Sequence, residues 1–119
     1  MIMITSSNLE TLNELYLHDM ELLDIKVDYF GHKVEVHLCD EQKNKHDMIF
    51  EHMQYFLLTE FEPWGEGMYI SEVKSTTTGI ESLVKMADDC IINTDAFMTE
   101  VILNSGDKIA IISSKIQYI

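Results

Sequence analysis

Leu23-Asp24-Ile25-Lys26-Val27-Asp28-Tyr29-Phe30-Gly31-His32-Lys33-Val34-Glu35-Val36-His37-Leu38 is the stretch that decides how this chain folds. Apolar residues fall at every second position on both sides of Gly31, the period of a strand with one face buried and one in water. Residues 21 to 29 therefore read as a strand, and a second strand starts after the loop. Gly31-His32 fits a two-residue type II′ loop with glycine at the position of positive φ. That loop sets Tyr29 opposite Val34, Val27 opposite Val36 and Ile25 opposite Leu38, and on the other face Asp28 opposite Glu35.

The C-terminal end repeats the pattern. Phe97 to Leu103 and Lys108 to Ser113 flank Asn104-Ser105-Gly106-Asp107, a turn sequence, and Ile116 to Ile119 continues as a last strand. Met68 to Ser75 has strand character as well. Met48 to Leu58 has an ambiguous period; its aromatic content and its end near Pro63 favour a strand over a helix. Two short helices complete the reading. Ser7 stands at capping-box spacing from Glu10 ahead of Leu9, Leu12 and Tyr16, which predicts a helix over residues 8 to 15. Ile80, Leu83, Val84 and Ala87 recur at helical spacing and predict the second. The expected architecture is one α+β domain over residues 1 to 119, an antiparallel sheet of about six strands, curved or sandwich-like, with one or two short helices.

Composition narrows the function. Twenty-one acidic residues face eight basic ones, all lysine, for a net charge of −13. Such a surface repels nucleic-acid backbones and anionic membranes, which reward clustered Lys and Arg. The acidity either keeps the chain soluble or steers it to a basic partner. Met1-Ile2-Met3-Ile4 followed by Thr5 lacks the basic start and apolar run of a secretory signal, and the expected location is the cytoplasm. Cys39 and Cys90 have no zinc-ligand spacing and read as free thiols.

No catalytic constellation emerges. His32 and His37 read as solvated, His46 as a local hydrogen-bond partner of Asp47, and His52 lacks the spacing of a metal motif. Asp19, beside His18, reads as a turn residue that accepts backbone N–H groups. Glycine-rich phosphate loops and the GxSxG elbow are missing from the sequence. The expectation is a non-enzyme without cofactor or metal.

The one interaction candidate is the loop around Trp64, the sole tryptophan, among Glu60, Glu62 and Glu66 with Tyr69 behind it. An aromatic anchor within a polar rim is the usual composition of a protein interface; the competing reading folds Trp64 back as a lid on the core. Asp40 and Glu41, and Asp88 and Asp89, are secondary acidic patches.

Leu17-His18-Asp19, Trp64-Gly65-Glu66-Gly67 and Leu103-Asn104-Ser105-Gly106-Asp107 are the segments by which the chain resembles a group of small, uncharacterised bacterial proteins similar to toxin-immunity proteins. The resemblance implies a β-rich α+β fold and, for immunity-type members, binding and neutralisation of a cognate toxin. It carries over no catalytic residue and leaves Ile80 to Cys90 unexplained. The reading is thus a non-catalytic protein-binding domain, an immunity-type inhibitor of a basic toxin in its sharpest form. Its alternatives are a small-molecule-binding domain and a structural subunit that dimerises through strand edges.

Overall fold

The computed structural model of the chain describes residues 1–62, 69–78 and 95–119. Trp64, Glu66 and the helix expected from Ile80 lie outside the described residues.

Strand β1 spans Ile2–Ile4, helix α1 Glu10–Glu14, and strands β2 and β3 Glu21–Asp28 and Lys33–Cys39. Lys45–Glu51 forms β4, Tyr55–Leu58 β5 and Ile70–Thr76 β6; Phe97–Leu103, Lys108–Ser113 and Lys115–Tyr118 form β7, β8 and β9. All pairing is antiparallel, in a five-stranded sheet ordered β1-β9-β4-β3-β2 and a four-stranded sheet ordered β5-β8-β7-β6. The expected six strands become nine among the described residues, in two sheets. Two of the differences have simple causes. Met1 to Ile4 is too short to show a period, yet Ile4 is fully buried because β1 closes against β9. Met48 to Leu58 contains two strands, since His52, at φ 58°, swings the chain from one sheet into the other.

The inner faces meet in one apolar cluster. Val34, Val36, Met48, Phe50 and Ile116 of the larger sheet pack with Phe97, Val101, Ile109 and Ile111 of the smaller, all fully buried. The strict alternation along β3 and β7 is the sequence signature of this arrangement. The chain crosses between sheets twice, at residues 52–54 and at Ser114, and the crossings run side by side: Gln54 N donates to Ile112 O at 2.8 Å and Ser114 N to Glu51 O at 3.3 Å. Glu51 also accepts from Gln117 Nε2 at 3.0 Å and pairs with Lys115 Nζ at 3.2 Å. Burial works against its carboxylate, but the Gln117 amide and the Lys115 ammonium outweigh it and hold the group below its ordinary pKa.

The first hairpin corrects the sequence-derived register by two residues. Val27 faces Val34 and Ile25 faces Val36; on the outer face Lys26 faces Glu35 and Asp28 faces Lys33, so opposite charges oppose each other where a like pair was expected. The cause is in the turn. It spans residues 29 to 32 with Asp28 Oδ1 accepting from Gly31 N at 2.9 Å, and the positive φ belongs to His32 (51°) rather than to Gly31. Gly31 leaves room for this bond: a Cβ there would meet the Asp28 carboxylate and displace it.

Helix α1 also departs from expectation. Ser7 does not cap it; Asn8 Oδ1 instead accepts from Thr5 N at 2.7 Å, and the helix carries no side-chain cap. Leu12 is buried, but Leu15 is already extended, so Tyr16 leaves the apolar face and stands 77% exposed. No helix among the described residues is long and apolar enough to cross a membrane.

Candidate functional site

Four connections gather at the end of the sandwich where β2 begins. They are the 15–20 segment after α1, the 40–44 turn between β3 and β4, the start of β6, and the 104–107 turn between β7 and β8. Asp19 N donates to Ile70 O at 2.8 Å and Ile70 N to Met20 O at 2.9 Å, which ties the first segment to β6. His18 Nδ1 lies 2.8 Å from Ser71 O, and Nε2 lies 3.4 Å from Asp19 Oδ2. Asp19 sits at φ 67°, a left-handed conformation that Asp tolerates. The corner role read for His18-Asp19 is thus performed by main chain and imidazole, with the Asp19 carboxylate 58% exposed.

The 40–44 turn is closed by Asp40. Its Oδ1 accepts from Asn44 N at 2.9 Å, and its N donates to Asn44 O at 2.9 Å. Oδ2 lies 2.9 Å from His46 Nε2, whose ring stacks on Tyr118 at 5.4 Å. The His46 hydrogen bond, then the Asn44 amide, hold the Asp40 carboxyl below its ordinary pKa, and burial together with the Asp40 charge pushes the Tyr118 phenol up. The partner of His46 is therefore Asp40, not Asp47, because His46 faces inward on β4 while its neighbour faces outward. His37 is likewise not simply solvated. It sits 2.6 Å from Asp24, with Glu35 at 3.7 Å and Asp47 at 4.0 Å, since three outer-face carboxylates on β2, β3 and β4 surround it.

The turn at 104–107 holds both flanks of the Trp64 loop. Asp107, nearly buried, accepts four hydrogen bonds: Thr59 Oγ1 at 2.9 Å and Phe61 N at 2.7 Å on Oδ1, Glu62 N at 2.9 Å and Ser105 Oγ at 3.0 Å on Oδ2. Burial opposes this carboxylate, but the Thr59 hydroxyl and the two amides outweigh it and its pKa is lowered. Asn104 holds the other flank: its N donates to Tyr69 O at 2.9 Å, and its Oδ1 accepts from Tyr69 N at 3.4 Å. Of the residues singled out from sequence, Glu60, Glu62 and Tyr69 thus emerge from one anchored base, with Phe61 between the two glutamates 83% exposed. Trp64 and Glu66 are not described. Asp107 itself was legible only as a turn residue; its spacing after Gly106 gave no sign of a carboxylate aimed back at Thr59.

Tyr69 opens onto a groove lined by Asp19, Glu21, Cys39, Asp40, Glu41 and Lys43, four carboxylates against one ammonium. A second hollow shares Asp19, Asp40 and Glu41 and adds Tyr16 and His18; a third shares Tyr16 and His18 and runs between Leu12, Leu15 and Val73. The shared residues make them one shallow trough, acidic at the Tyr69 end and apolar at the α1 end. The acidic part has a volume of about 200 Å³, the middle about 160 Å³ and the apolar part about 340 Å³, which together fall within the roughly 300–1,000 Å³ of small-ligand pockets. No group of three or more His, Cys, Asp and Glu in metal-holding geometry occurs among the described residues.

No family model and no curated protein matches the chain. Among solved structures it is similar to the crystal structure of an uncharacterized protein from Neisseria gonorrhoeae, with 14% identity over 85% of this chain and 90% of that chain and a TM-score of 0.42.

Proposed function

We propose that the chain is a non-catalytic protein-binding domain whose acidic end engages a basic protein, in the manner of an immunity-type inhibitor of a basic toxin. The observation that carries this reading is the trough in which Asp19, Glu21, Asp40 and Glu41 meet Tyr69, at the end where Glu60, Phe61 and Glu62 are anchored. Carboxylates concentrated at one end raise the encounter rate with a cation-rich surface, and exposed aromatics between them supply contact area once water is expelled.

The test uses the product of the neighbouring reading frame as the probe, with association followed by surface plasmon resonance. The association rate constant should fall at least about tenfold between about 20 mM and 300 mM NaCl. Glu41→Lys with Glu60→Lys, both on exposed side chains, should lower it further at low salt. An association rate indifferent to salt and to both substitutions contradicts the reading.

A further inference from the structure

The trough is polarised along its length, and that order constrains what it can hold. At its acidic end Glu21 and Glu41 make no ion pair and no side-chain hydrogen bond among the described residues, and the Asp19 carboxylate is largely exposed. Asp40 adds charge there, but its two oxygens are already engaged by Asn44 N and His46. Tyr69 stands among these groups, half-exposed, with its backbone fixed by the bridge to Glu21 and by Asn104. At the other end Leu12, Leu15 and Val73 line a hollow beside the exposed Tyr16. The one carboxylate lining that hollow, Glu72, is paired with Lys74 at 3.7 Å.

We propose, resting on the protein-binding reading above, that the trough receives a segment of the basic partner in which an arginine is followed closely by a large apolar residue. The guanidinium lies against Tyr69 among Asp19, Glu21 and Glu41, and the apolar side chain fills the hollow of Leu12, Leu15 and Val73. Arginine suits the acidic end better than lysine, because a planar guanidinium stacks on an aromatic ring while its edge bonds carboxylates, and it is more weakly hydrated than an ammonium. The acidic end offers that ring and those carboxylates together. The apolar end has no unpaired carboxylate for a second cation, so a run of basic residues alone leaves it filled with water. Charge complementarity thus sets one half of the occupant and apolar burial the other.

Amide NMR of the full chain tests this with three acetylated, amidated peptides: Arg-Gly-Ser-Gly-Leu, Lys-Gly-Ser-Gly-Leu and Arg-Gly-Ser-Gly-Ser. Their flexible spacer lets the two end side chains settle independently. The arginine-leucine peptide should bind in the millimolar range or tighter, shifting Tyr16, Asp19, Glu41 and Tyr69. It should bind at least about fivefold more tightly than the arginine-serine peptide and about threefold more tightly than the lysine-leucine peptide. Tyr69→Leu should bring the arginine and lysine peptides within about twofold of each other. Tyr16→Glu, at an exposed position, should bring the leucine and serine peptides equally close. Equal binding of the leucine and serine peptides, or of the arginine and lysine peptides, by the wild type overturns the proposal. So do shifts elsewhere than in the trough, or none up to about 10 mM peptide. If the proposal fails in any of these ways, an association rate with the neighbouring gene product that still falls steeply with salt leaves the broader reading standing, and a salt-indifferent rate removes both.

Discussion

Replacing Gly31 with alanine tests whether the first turn is built around a carboxylate or around a left-handed glycine. Gly31 does not have positive φ, so an alanine is not strained by its backbone; the obstacle is the Asp28 carboxylate, which occupies the place of the new Cβ. To make room, Asp28 must swing away and give up its 2.9 Å bond from Gly31 N, a loss of about 1.5 kcal/mol for a charge-assisted bond in an exposed turn. Against that stands a gain of about 0.4–1 kcal/mol from the stiffer unfolded chain. Gly31→Ala should therefore destabilise by about 0.5–1 kcal/mol in the wild type. In an Asp28→Ala background the obstacle is gone, and the same change should stabilise by about 0.4–1 kcal/mol. The cycle, measured by urea unfolding, isolates a coupling of about 1.5 kcal/mol. His32→Gly should in turn be neutral or stabilising, since His32 is the residue at φ 51°. Additivity within about 0.3–0.5 kcal/mol refutes the reasoning.

Other consequences follow from the same contacts. Phe50→Ala, at a fully buried position shared by both sheets, should cost about 3–5 kcal/mol in urea unfolding, whereas Phe30→Ala, 89% exposed, should stay within about 0.5 kcal/mol. Asp107→Asn removes one of the two acceptor oxygens, so the amides of Phe61 and Glu62 should lose hydrogen-exchange protection while those of β3 keep theirs. Asp40, Glu51 and Asp107 all have folded pKa values below their ordinary 3.8, 4.5 and 3.8; the stability they contribute is complete above those values and is lost as pH falls below them, which a series of acid melts reads. The shift at Tyr118 has the opposite sign: its contribution is complete below the ordinary 10.0 and lost as pH rises past it, so one of the five tyrosines should ionise late in an ultraviolet titration and Tyr118→Phe should remove that phase.

Strand pairing was legible where alternation ran long. The β7–β8 hairpin has the bounds its sequence predicts, because Asn104 to Asp107 is turn chemistry between an alternating strand and a continuously buried one. The β2–β3 pair was legible as a hairpin but not in register. Two glycine-containing turns fit the same alternation, and the choice between them rests on a side-chain bond from Asp28 that no periodicity reveals. Met48 to Leu58 hid a change of sheet, because a left-handed His52 leaves no mark on hydropathy. The candidate surface was legible only in outline. Glu60, Glu62 and Tyr69 stood out by composition, but Asp19, Glu21 and Glu41 are distant in sequence from Tyr69 and join it only because β2, β3 and β6 begin or end at one edge of the sandwich. Asp107 was hidden for the same reason, as its partners lie more than forty residues away.

Two-dimensional amide NMR of the chain, titrated with the protein encoded next to it, asks where contact occurs. Asp19, Glu21, Glu41 and Tyr69 should move together, with the amides of Phe61 and Glu62, while Tyr29 and Phe30 at the far turn hold their positions. Shifts confined to the far turn, or none near Tyr69 at saturation, would contradict an anionic binding end.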